Sequence, residues 1–236
     1  MNIRITLGSL RVSNTIFTDG RASHINAERT NVILDSVTVR DSEDFVSEGH
    51  GLYCDTCTVR VTNSSFINLK AFKAPAIYIK NCGSTTEQST HLHLQEYMQL
   101  IETSIFEDNH ALGSFGAIKL ENAGSVLIKQ NKFNRNTVSD SQEPLIDWIY
   151  CDAGAIYFEC GDQASVDPDH DCKTVLDSNV FQDNFAKNKG GALRYIHKNF
   201  TTVYEAKSNG RRFLSDRFLQ SSESDEMGDM IDTNTY

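Results

Sequence analysis

The sequence predicts an all-β chain, a right-handed parallel β-helix of about six irregular coils with two longer insertions, and three observations lead there. An alternating segment closed by an apolar anchor returns six times, a second strand-like segment sits between the anchors, and no window carries a sustained apolar stripe at helical spacing. Period-two alternation buries one face of a strand. Strands that recur without two-residue hairpin turns suit stacked coils rather than a sandwich. The one Asn-Gly pair, Asn209-Gly210, lies outside the repeats.

The first segment reads LRVSNTIFTDG (10–20), VILDSVTVRDS (32–42), VRVTNSSFINL (59–69), LIETSIFEDN (100–109), VLIKQNKFNRN (126–136) and TVLDSNVFQDN (174–184). Its anchors are Phe17, Val39, Phe66, Phe106, Phe133 and Phe181, separated by 22, 27, 40, 27 and 48 residues, the longer gaps holding insertions. Stacked coils would align these anchors in one internal column, with Asn and Asp of the turns hydrogen-bonding along the axis.

The second segment reads GLYCDTC (51–57), AIYIKNC (76–82), GAIKLEN (116–122), GAIYFEC (154–160) and GALRYIH (191–197). Alternation buries Leu52 with Cys54, Ile77 with Ile79, Ile118 with Leu120, Ile156 with Phe158, and Leu193 with Tyr195. It turns Tyr53, Tyr78, Lys119, Tyr157 and Arg194 outward. The repeats occupy 1–200, with insertions near 82–97, 139–152 and 161–172; residues 92–101 are the stretch expected to form a short helix. Residues 201–236 lose the repeat and read as a poorly ordered, polar acidic tail or linker.

The segments FEDNHALGSFGAI (106–118) and FQDNFAKNKGGAL (181–193) share a Phe-x-x-Asn element followed by a small-residue Gly-Ala-apolar element. FNRNTV (133–138) begins the same motif and resumes it at AGAI (153–156). This resembles the repeat of the polymorphic outer-membrane protein family, within the pectin-lyase-like β-helix superfamily, as found in large surface proteins of ciliates and other protists. The resemblance covers roughly residues 10–197. It implies a fold, since one fold hosts many activities. The first two coils depart from it by lacking the Gly-Gly-Ala element, and Val39 stands in place of Phe.

Charge and composition exclude several classes. Against 22 Lys and Arg stand 32 Asp and Glu, a net charge of −10, which argues against a nucleic-acid partner. No run of apolar residues is long enough to cross a membrane as a helix. The opening MNIRITLGSLRVSNTIF lacks the cationic start and apolar block of a secretory signal, whereas six cysteines suit an oxidising compartment. Both are reconciled if the chain is part of a longer secreted or cell-surface protein, an expectation to which unidentified solenoid caps add.

Cys57 and Cys82 occupy the same position in successive coils and are expected to form a disulfide, as are Cys160 and Cys172 across the acidic insertion. Cys54 reads as a small core residue, and Cys151 as another. A zinc site on Cys54-x-x-Cys57 is the rival. It lacks a second cysteine or histidine pair, and along a strand the two side chains face opposite ways. No metal and no cofactor is expected. The acidic loop with Asp162, Asp167, Asp169, His170 and Asp171 reads as solvated, since no calcium-loop spacing is present, and His91 and His93 read as an exposed pair. Asn63 and Asn199 are glycosylation acceptors in a secreted chain, Asn63 reading equally as a buried turn residue.

Gly49-His50-Gly51 resembles the Gly-His-Gly element of polygalacturonases, and makes Glu48, His50 and Asp55 the catalytic candidates. It also falls where other coils carry Gly-Gly, and no companion carboxylate motif accompanies it. The outward column of Tyr53, Tyr78, Lys119, Tyr157 and Arg194 reads as a binding face for carbohydrate or a protein partner, or as ordinary strand surface. The first reading of function is therefore a non-enzymatic segment of a larger surface or extracellular protein, acting as adhesive, ligand-binding or structural scaffold. A polysaccharide lyase or glycoside hydrolase is the alternative, and an intracellular protein-binding solenoid the second.

Overall fold

At each corner the chain turns on a residue with positive φ, and these residues align from one rung to the next. The computed structural model describes residues 2–82, 99–139, 152–160, 174–187, 190–197, 206–208 and 211–212. One column of corners contains Arg29, Thr56, Asn81 and Asn122; the next Asn14, Ser36, Asn63, Thr103, Gln130 and Ser178; the third Asp19, Asp41, Asn68, Asp108, Arg135 and Asp183. Asn and Asp tolerate this left-handed region best after Gly, which is why they recur behind the anchors. The corner amide still bonds to the next rung, as Asn63 N–H does to Glu102 O at 3.2 Å.

The described chain is all-β. Its strands form a 13-stranded and a 9-stranded sheet, and every pairing is parallel except that of Ala206–Ser208 with Arg211–Arg212. In the larger sheet the long strand Ile25–Asp35 joins two ladders. Its first half pairs with Leu52–Asp55, followed by Ile77–Lys80, Ile118–Glu121, Ile156–Cys160 and Leu193–His197. Its second half pairs with Thr58–Thr62, followed by Gln99–Glu102, Val126–Lys129 and Thr174–Asp177. Each strand thus meets its counterpart one rung further on, about 4.8 Å along the axis.

The six anchors share one register, from Phe17 opposite Val39 through Phe66, Phe106 and Phe133 to Phe181. Rings 66 and 106 stack at 5.2 Å, 106 and 133 at 4.8 Å, and 133 and 181 at 4.9 Å, all within 8° of parallel. The inward residues of the first ladder, Leu52 to Leu193, are buried as the alternation requires, and Tyr195 packs half-buried at the end.

Two polar columns flank the aromatic one. In the first, Val37 N–H donates to Ser64 Oγ, Ser64 N–H to Ser104 Oγ, Ser104 N–H to Asn131 Oδ1, and Asn131 N–H to Asn179 Oδ1. In the second, the amides of Leu69, Asn109 and Asn136 donate to Oδ1 of Asn109, Asn136 and Asn184. Each Asn amide group returns a bond to the preceding rung, Asn109 to Phe66 O and Asn136 to Phe106 O, both at 2.9 Å. A buried main-chain group left over at a corner is costly, and these side chains satisfy it.

The fourth corner explains the small-residue motif. A Cβ on Gly116 would lie 2.1 Å from Ala153 O, so the rungs approach too closely for any side chain. His50 occupies the same place in its corner as Pro75 and Gly116, and its neighbour Gly51 bonds to Pro75 O at 3.0 Å.

Two expectations are corrected. Residues 99–101, read as part of a helix, belong to the strand Gln99–Glu102, where buried Gln99 accepts from Val59 N–H and donates to Cys57 O. Cys57 and Cys82 are buried free thiols, not a disulfide: Cys57 N–H donates to Cys82 Sγ at 3.0 Å, and each sulfur bonds to a carbonyl, Ala27 O and Lys80 O. Pairing also continues past residue 200, since Ala206 and Lys207 stand opposite Leu176 and Asp177.

Candidate functional site

The outward residues of the first ladder do form one column, with Tyr53, Tyr78, Lys119, Tyr157 and Arg194 in consecutive register. Period-two alternation fixes their direction. Their exposure is another matter: Tyr78, Lys119, Tyr157 and Arg194 are 5%, 6%, 2% and 4% exposed, and Tyr53 alone is half-buried. The expected open binding face is therefore covered along most of its length.

Phe115 covers the middle. It sits at the fourth corner with φ 65°, and its ring packs 4.1 Å from that of Tyr157. Lys119 Nζ lies 4.2 Å from the centre of Phe115, 4.9 Å from Tyr78 and 5.8 Å from Tyr157, a cage of aromatic faces around one ammonium. Two carboxylates complete it, Glu121 at 2.6 Å and Glu159 at 3.7 Å. The Tyr78 hydroxyl donates to the same Glu121 oxygen. At the far end Arg194 is ion-paired with Asp152, which is 1% exposed. Taking an ammonium out of water is costly, and this density of partners offsets it.

The near end is simpler. Tyr53 meets Tyr78 edge-on at 5.5 Å, and Lys80 Nζ lies 5.3 Å over the Tyr53 ring and 3.3 Å from Asp55. A hydrogen bond with Tyr53, then the Asp55 charge, raises the Lys80 ammonium above its usual range.

Glu121 carries a testable pH dependence. Burial alone would raise its carboxyl, but hydrogen bonds from Lys119 and Tyr78 and the Lys119 charge outweigh that and hold it below its ordinary value. A depressed carboxylate contributes stability that is present above the unfolded value, about 4.3, and lost as pH falls through the folded one. Thermal melts recorded from pH 6 down to about 3 are expected to fall less steeply for Glu121→Gln than for the wild type. Parallel curves would exclude this role.

His50 and Asp55 are not brought together. His50 is 0% exposed, with its ring edge-on to that of His24 at 5.3 Å. Asp55 lies at the opposite end of the strand Leu52–Asp55 and accepts from Thr56 and Asn81. Glu48 ends the strand Thr38–Glu48, its side chain lying outside the described residues. Asn63 is exposed rather than buried and donates to Asp35, while Ser64 beside it is the buried one. Asn199, Cys151, Cys172, the acidic loop and the His91–His93 pair lie outside the described residues. Cys160 is disulfide-bonded.

Sequence reasoning missed Phe115, Asp152, Glu121 and Glu159. The carboxylates had a signal, since GAIKLEN and GAIYFEC both place Glu at the sixth position, and Glu121 stands opposite Glu159 in register. Phe115 and Asp152 had none, as corner residues outside the alternating segments.

Among the described residues no three His, Cys, Asp or Glu are grouped to hold a metal ion, and no helix is long and apolar enough to cross a membrane. No protein-family model, curated protein or solved structure matches the chain.

Proposed function

We propose that this chain is a non-enzymatic segment of a right-handed parallel β-helix, in a larger cell-surface or extracellular protein where it serves as a rigid adhesive or structural scaffold. One observation carries the reading: polar side chains on several faces are spent on contacts along the axis. Asp35 takes Thr62 and Asn63, Asp41 takes Asn68, Glu102 takes Lys129, and Glu107 and Asp108 take Arg135. Exposed pairs contribute little singly, but a ladder of them resists shear between rungs. Right-handedness rests on the general rule for parallel crossovers. The Cys160 disulfide and the exposed Asn63 of an Asn-Ser-Ser acceptor support an oxidising, secretory setting. The resemblance to polymorphic outer-membrane protein repeats points the same way.

A polysaccharide-active enzyme is the second reading, favoured by Glu121 and Glu159 standing side by side on adjacent rungs. The discriminating experiment incubates the wild type with uronate-containing and neutral polysaccharides and reads new reducing ends. The scaffold reading expects none above buffer. Cleavage that falls about 100-fold in folded Glu121→Gln, Glu159→Gln, His50→Ala or Asp55→Ala variants would replace it with the enzyme reading.

A further inference from the structure

We infer that the open edge of the strand Ile3–Ser13 is a docking site for an extended acidic segment of a partner chain, which joins the larger sheet as a further parallel strand. Among the described residues Ile3–Ser13 is paired on one side only, with Ile25–Asp35. Ile3 N–H donates to His24 O at 2.7 Å, so the alternation of a parallel ladder turns the main-chain groups of Arg4 and Thr6 to the open side. A row of such groups is a template for another strand.

The core is open at the same edge. Ile3, Ile5 and Leu10 point inward and pack on the core, yet each is only half-buried. Their counterparts one rung on, Ile25, Ala27 and Val32, are 0% exposed, because they have a rung on either side. An added strand with apolar residues at its inward positions would complete the cover.

Charge says which strand fits. The ion pairs that join successive rungs outside the Lys119 cage run in one direction: Glu43 with Lys70, Asp55 with Lys80, Glu102 with Lys129, Glu107 and Asp108 with Arg135, and Asp152 with Arg194. In each the carboxylate stands on the earlier rung and the cation on the later one. On Ile3–Ser13 the exposed cations Arg4 and Arg11 hold the later place, with neutral Asn26 and Ile33 opposite them on the following rung. Asp35, whose carboxylate feels the Arg11 charge, already accepts from Thr62 and Asn63. A partner strand with Asp or Glu beside Arg4 and Arg11 therefore continues the pattern. A second copy does not: two such edges meeting antiparallel with Ile5 opposite Leu10 would set Arg4 opposite Arg11, like charge on like.

The probe is an end-capped, fluorescent peptide of residues 25–35, a strand whose inward residues already match those of Ile3–Ser13, carrying Asn26→Glu and Ile33→Glu. The control peptide carries Asn26→Lys and Ile33→Lys. Anisotropy with the full chain at low salt should show the glutamate peptide binding at least about tenfold more tightly. The chain variant Arg4→Glu, Arg11→Glu changes exposed side chains only and should reverse the preference. In the wild type, the peptide should slow hydrogen exchange at the Arg4 and Thr6 amides. Equal binding of the two peptides, no binding of the glutamate peptide up to about 1 mM, or protection elsewhere in the chain would each overturn the proposal. So would Arg4 and Thr6 amides that gain protection with rising chain concentration and no peptide, which would assign the edge to a second copy.

Discussion

Replacing Asn136 by Ala should cost about 4 kcal/mol, because several buried groups lose their partner at once. Asn136 Oδ1 accepts both the main-chain and the side-chain N–H of Asn109, and Asn136 Nδ2 donates to Phe106 O and to Asn184 Oδ1. Asn136 is 0% exposed, so water does not take over these bonds. For a chain of this size the loss corresponds to a fall of roughly 10 °C in Tm. Hydrogen exchange provides the sharper readout. In a stacked architecture each rung contacts only its neighbours, so the loss of amide protection should centre on Asn109 and Asn136 and spare Val32 to Leu34. Uniform loss along the chain would show that the rungs do not behave as separable units.

Phe106→Ala is expected to be comparably severe, at about 3–5 kcal/mol. The ring lies between Phe66 and Phe133, is fully buried, and makes both stacking contacts at once. Truncation opens a void bounded by two phenyl faces, which the paired strands on either side cannot close without breaking register. Phe106→Leu restores much of the volume without the stacking and should recover more than half of the loss. Equal melting of the Ala and Leu variants would mean that stacking, rather than filling, dominates. Phe17→Ala should cost less, since that end of the column neighbours Val39 and His24 and no phenyl ring.

Several features were legible because they depend on local periodicity. Alternation places Ile77 and Ile79 inside and Tyr78 outside whatever the neighbouring rungs do. The recurrence of Phe66, Phe106 and Phe133 implies a column once the strands pair in parallel. Gly116 is readable in the same way, since a close approach of rungs tolerates no Cβ. Illegible were the features that the two-residue period does not encode. Whether Lys119 faces water depends on Phe115 closing over it and on the carboxylate of Glu159 from the next rung. The relation of Cys54 to Cys57 depends on one left-handed residue that breaks the alternation, and Thr is not a residue that announces such a corner.

The sequence by itself determined the strand segments, their inward faces and the register of the aromatic column, because a two-residue period and a repeated motif encode them directly. Only the tertiary structure decided which outward side chains are covered and which carboxylates meet Lys119. The physical reason is that inside and outside belong to a single strand, whereas burial and contact belong to the stack.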